Sequence, residues 1–179
     1  MRNVLVTGFG AFLDVDDNPS GRVARAVDGA EIEGLRIVGV TLPVRYQEGP
    51  RQAVALALEL DARVVIGLGV DRSTRTVDVE TRAWNRTQGL DVAGEQPFEL
   101  EPGGPDTVGA NIDAAAFAEA LGGRVDDDAG RYVCNAWLYQ VARALTPERR
   151  VVFVHVPSEG LDPDVLLRAI GSVFGDPRS

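Results

Sequence analysis

The chain has 179 residues, 45% of them hydrophobic, enough to bury one substantial core, so a single α/β domain over 1–179 is the expectation. Its formal net charge is −9, and the only adjacent basic pair is Arg149 and Arg150, which argues against a phosphate-binding face and excludes nucleic acid as an expected partner. A single cysteine cannot form an internal disulfide, and no apolar run approaches the roughly 18 residues of a membrane span, so a cytoplasmic protein without membrane association is expected.

In chain order, apolar runs rich in β-branched residues occur at 3–8 (NVLVTG), 35–43 (LRIVGVTLP), 62–69 (ARVVIGLG), 74–84 (TRTVDVETRAW) and 149–157 (RRVVFVHVP). Three of them are nearly continuous rather than alternating, the pattern of strands buried on both faces of a parallel sheet. Segments of helical period fall between or after them at 18–27, 46–60, 111–121, 135–145 and 162–174. Asn18 before Pro19, and Asp162 before Pro163, each read as an N-cap followed by proline in the first turn. Strand followed by helix, repeated, predicts a three-layer α/β/α sandwich around a twisted, mostly parallel sheet. The stretch 74–110 breaks this rhythm: it is rich in turn formers, lacks a helical period, and predicts a strand or hairpin followed by a long excursion from the sheet.

The first strand runs into the glycine-containing turn GFGAF, but Leu13 stands where a dinucleotide fingerprint needs glycine, and no helix opens before Asn18. A dinucleotide site is therefore not expected. Phe9 and Phe12 offer instead two aromatic faces, either to a small ligand or to the core.

Cys134, in AGRYVCNAWLYQV, is the only thiol. Free cysteine is commonly a small buried hydrophobe, yet here an amphipathic stripe of Trp137, Leu138, Val141, Ala142 and Leu145 follows it, which places the sulfur at the start of a helix. Unpaired N–H groups and the dipole there favour a thiolate and an oxyanion. His155, the only histidine, ends a buried strand at the carboxyl edge of the sheet, where ligands gather in open α/β folds. A nucleophile and base of this kind need a carboxylate to orient the imidazole. Glu80, Asp71 and Asp78 all qualify, and spacing does not choose among them.

Taken together, the blocks VLVTGFGAF, NPS, LPVRYQ, VVIGLGV, TVDVETRAWN, DAGRYVCN and FVHVP, in this order from the N-terminus to about Pro157, resemble the pyroglutamyl-peptidase I (pyrrolidone-carboxylate peptidase) family of cysteine peptidases. The resemblance implies an α/β/α sandwich with Cys134 as nucleophile, His155 as general base and acid, and Glu80, eleven residues after Gly69, as orienting carboxylate. It further implies a pocket for the pyroglutamyl ring built from Phe9, Phe12, Asn18, Val70, Tyr132 and Val133. The implied substrates are peptides with an N-terminal pyroglutamate, hydrolysed without metal or organic cofactor, and the implied assembly is a homo-oligomer. Departures from the family pattern fall at Leu13 and Asp14, at Asp71 to Ser73, and at Val92. They leave two competing readings, a catalytically silent binding module and a cysteine acyl hydrolase of different specificity.

Overall fold

β-Branched and leucine side chains occupy both faces of the central strands, and this decides the architecture. The computed structural model describes residues 1–11 and 16–175. β1 (Arg2–Phe9), β3 (Leu35–Leu42), β4 (Val64–Val70) and β9 (Arg150–Val156) run parallel at the centre of a seven-stranded sheet of order β2-β3-β1-β4-β9-β5-β8. The edges depart from that direction. β2 (Glu31–Ile32) pairs antiparallel with β3, β5 (Asp78–Glu80) pairs antiparallel with β9, and β8 (Arg124–Asp126) lies parallel to β5. The sheet is mostly parallel, as the uninterrupted apolar runs predict.

Five helices among the described residues complete three layers. α1 (Pro19–Val27), α3 (Ala114–Leu121) and α5 (Pro163–Phe174) cover one face, where Val4, Val6, Ile66, Val152 and Val154 point. α2 (Glu48–Glu59) and α4 (Val133–Leu145) cover the other, over Leu5, Val65, Val151 and Phe153. Period-two alternation thus divides each buried strand between two cores. No helix among the described residues is long and apolar enough to cross a membrane.

The predicted caps form. The Asn18 side chain accepts from Ser20 N at 3.1 Å, and that of Asp162 accepts from Asp164 N at 2.9 Å. The stretch 74–84 divides at Thr81: β5 joins the main sheet, while β6 (Arg82–Trp84) pairs with β7 (Thr107–Gly109) in a separate two-stranded sheet against α4. Between β6 and β7 the chain makes the expected irregular excursion. Strands β2, β7 and β8 carry no legible signal in the sequence, each having at most three residues and little burial.

Candidate active site

Gly67 and Gly69 sit two residues apart on β4, on the face covered by α4. A Cβ at Gly67 would lie 2.8 Å from the Trp137 ring, and one at Gly69 would lie 2.6 Å from Cys134 Sγ. Side chains at these positions would hold α4 away from the sheet. Their absence lets the helix start descend until the sulfur rests over β4, beside the register partner of Gly69, which is His155. Cys134 is the second residue of α4, which opens at Val133, two residues before the helical-period segment expected over 135–145. The N-cap, Tyr132, makes no side-chain capping bond, so the N–H groups of the first turn remain directed at the space around the thiol.

The three residues expected to act together do meet. His155 Nδ1 is 2.7 Å from Glu80 Oε1, a diagonal contact between β9 and β5. With Nδ1 engaged by Glu80, Nε2 is the ring nitrogen left to face Cys134, which is partly buried. His155 and Glu80 are 8% and 2% exposed, so their interaction is scarcely screened by water. Burial opposes charge on the imidazole, but the negative sulfur and the hydrogen bonds to Cys134 and Glu80 outweigh it and push the His155 pKa up to about 10. Burial pushes the Glu80 carboxyl up; the His155 bond and charge pull it down, and the neighbouring charges of Asp126 and Asp78 add to the rise. Glu80 Oε2 has no hydrogen-bond partner among the described residues.

The rival carboxylates are engaged elsewhere. Asp78 stands opposite His155 in register, yet it binds Arg124 through both oxygens at 2.7 and 3.2 Å. Asp71 accepts from Ser73 N and Oγ in the turn after β4.

Beside Cys134 is a small cavity of about 50 Å³ lined by Phe9, Asn18, Val44, Val70, Tyr132 and Val133. Five of the six residues expected to form the ring pocket are therefore in one place, and the sixth, Phe12, lies outside the described residues, as do Leu13 and Asp14. Val44, within the LPVRYQ block, belongs to the cavity too, although it was not among the residues expected there. Asn18 shapes the wall more than it offers bonds: Oδ1 serves Ser20 N and Oγ, and Nδ2 donates to Gly10 O at 3.1 Å. Gly8, in β1, serves close packing, since a Cβ there would lie 2.2 Å from Ser20 O in α1, which explains this glycine without a nucleotide.

The excursion is latched to this cavity by Tyr132 and by residues that sequence reasoning did not single out. Asn135, fully buried next to the thiol, accepts from Trp84 N at 2.7 Å and donates to Trp84 O and Arg86 O at 3.0 Å. Tyr46 Oη donates to Gln88 O and Gly89 O, Tyr132 Oη donates to Leu90 O, and Asp91 accepts from Tyr46 N. The two tyrosine rings meet edge to face at 5.6 Å. The usable signal was the polar Asn135 in the apolar first turn of a predicted helix, because a buried amide must find partners.

A sequence model described as pyroglutamyl peptidase matches residues 2–162. The chain belongs to the pyroglutamyl peptidase family. It is 31% identical to the pyrrolidone-carboxylate peptidase of Mycobacterium marinum over 175 residues, which cover 88% of this chain and 78% of that relative. A pyrrolidone-carboxylate peptidase 1 of Ralstonia nicotianae is also 31% identical, over 88% of this chain and 79% of its own. Among solved structures, pyroglutamyl peptidase I of Bacillus amyloliquefaciens superposes with a TM-score of 0.87 at 22% identity, covering 96% of this chain and 94% of that one. The pyrrolidone carboxyl peptidase of Thermococcus litoralis superposes at 0.84 with 23% identity, covering 96% and 90%. At these identities the two structures speak for the α/β/α fold, and the pyroglutamyl peptidase assignment rests on the family match and the curated relatives.

Proposed function

We infer that the protein is a cysteine peptidase that hydrolyses the amide bond after an N-terminal pyroglutamyl residue and releases pyroglutamate. The observation that carries this reading is the Glu80–His155–Cys134 array opening onto a cavity sized for a small ring. Family membership supports it.

A pyroglutamyl terminus is a compact neutral lactam, and it needs no carboxylate anchor of the kind that holds a free amino terminus. Phe9, Val44, Val70 and Val133 give it apolar walls. The Cys134 thiolate adds to the scissile carbonyl carbon, and the carbonyl π electrons move to oxygen beside the first-turn N–H groups of α4. As the oxyanion collapses, the C–N bond breaks and His155 Nε2 gives its proton to the departing amine. The neutral imidazole then takes a proton from water, whose oxygen attacks the thioester, and the thiolate leaves. Glu80 holds the ring in place and stabilises its cationic form throughout.

The same reading places the protein in the cytoplasm, where a lone thiol stays reduced, and has it self-associate as a homo-oligomer. Light scattering on the purified chain tests the assembly. The activity is tested by chromophore release from a pyroglutamyl amide by wild type and Cys134→Ser, with iodoacetamide labelling in parallel. Turnover is expected only with the thiol present. Activity that survives the serine change removes Cys134 from the mechanism, and labelling of Cys134 without turnover favours an acyl hydrolase of different specificity.

A further inference from the structure

Two spaces meet at Cys134. The ring cavity is the smaller; the larger is an open cleft of about 670 Å³ that shares Cys134, Val70 and Tyr132 with it and runs past His155. If the ring occupies the first, the peptide beyond the scissile bond lies in the second.

The charges along this cleft are unbalanced. Asp17 is paired with Arg22 and Arg25, and Asp128 with Arg131. Asp71 and Asp126 line the cleft with no ion pair among the described residues. In each of them only Oδ1 accepts a hydrogen bond, from Ser73 or from Asp128 N.

The strand order places these two carboxylates on opposite sides of His155. Asp71 follows β4, one strand to one side, and Asp126 ends β8, two strands to the other. Asp126 is also the register partner of Glu80, so both side chains leave the same face. Asp78, Glu80 and Asp126 thus share two adjacent strands. Arg124 pairs with Asp78 and His155 with Glu80, whereas Asp126 makes no ion pair among the described residues and feels only the more distant charge of Arg124. A second feature points to a missing donor: Glu80, 2% exposed, lines this cleft, and its Oε2 has no partner among the described residues. Arg72, next in sequence to Asp71, also lines the cleft and adds a positive charge on that side, so Asp71 is ranked second.

We propose that the cleft selects a cationic side chain, the guanidinium of arginine or the ammonium of lysine, on the residue that follows pyroglutamate, with Asp126 as its main acceptor and Asp71 as its second. The proposal rests on the peptidase reading and adds to it the chemical class of the leaving peptide. An acidic residue at the same position meets repulsion from the same groups, and the preference shrinks as salt rises.

The test uses the full chain and a series of dipeptide amides in which arginine, lysine, alanine or glutamate follows pyroglutamate, with pyroglutamate release measured by chromatography. At low salt, kcat/KM is expected to fall in the order arginine or lysine, alanine, glutamate, with an arginine-to-glutamate ratio of about fivefold or more. The ratio is expected to fall towards unity in Asp126→Asn, and further in the double variant with Asp71→Asn. Because each ratio is taken within one variant, a general loss of activity cancels. Turnover without this order, or a ratio that both variants leave intact, overturns the proposal alone. No turnover of any substrate overturns the peptidase reading and the proposal with it.

Discussion

Gly69→Ala adds one carbon where the sheet and the nucleophile are closest. The new Cβ would lie 2.6 Å from Cys134 Sγ and 2.8 and 3.0 Å from two atoms of the Phe153 ring. Non-bonded carbon contacts settle near 3.5–4.0 Å, so the sulfur has to retreat by about 1 Å. A misplacement of about 1 Å at a reacting atom costs roughly 100-fold in rate, and overpacking of this kind costs about 1–3 kcal/mol of stability. Gly67→Ala is the matched control. Its Cβ would come within 2.5 Å of Phe153 and 2.8 Å of Trp137, and its three nearest atoms all belong to those two rings. Both variants are expected to melt several degrees below wild type, by roughly 2–4 °C per kcal/mol for a chain of this length. Only Gly69→Ala is expected to lose about 100-fold in kcat and to react slowly with iodoacetamide. The assay combines thermal melts, steady-state hydrolysis of a pyroglutamyl amide and alkylation rates. A folded Gly69→Ala protein with kcat within about twofold of wild type would refute the claim that this glycine sets the position of the thiol.

Glu80→Gln keeps the side chain's shape but removes the charge that helps hold a proton on His155. The His155 pKa falls, and the alkaline limb of kcat/KM is expected to move to lower pH; an unchanged limb would separate Glu80 from the imidazole. The same group affects stability. His155 is raised from 6.5 to about 10 in the folded chain, so its contribution is complete below 6.5 and is lost as pH rises through 10. The wild-type melting temperature should therefore decline across that window, and less steeply in Glu80→Gln. Asn135→Ala removes the buried amide that binds Trp84 and Arg86, for an expected loss of about 3 kcal/mol in chemical denaturation together with a raised KM. Tyr46→Phe breaks only the hydroxyl bonds to Gln88 O and Gly89 O, and about 1 kcal/mol is expected.

The parts of the fold legible in advance are those where local rules and burial agree. β1, β4 and β9 announce themselves as unbroken apolar runs, and Asn18–Pro19 and Asp162–Pro163 mark helix starts through capping chemistry that needs no tertiary context. β8 was invisible because its three residues, Arg124 to Asp126, are mostly exposed and pair only with β5, brought there by the path of the chain. The run at 74–84, expected as a strand or hairpin, became two strands in different sheets because Thr81 N and Oγ1 both bond Asp126 O, ending one pairing and beginning another. That bond partner lies 45 residues away.

Sequence alone determined which side chains are available for chemistry. One thiol and one imidazole leave no alternative nucleophile of that type and no alternative histidine base, and an amphipathic stripe after Cys134 already places the sulfur in the first turn of a helix. It also supplied the apolar residues, Phe9, Val70 and Val133, that wall the ring cavity. The family resemblance already implied Glu80 among three carboxylates, but the physical reason for that choice lies only in the tertiary structure. Glu80 and Asp78 project from the same face of the same short strand, and the choice depends on Arg124 occupying one while His155 reaches the other across an antiparallel pair. Proximity between residues 75 apart in the chain is a property of strand order and register, and no local pattern encodes it.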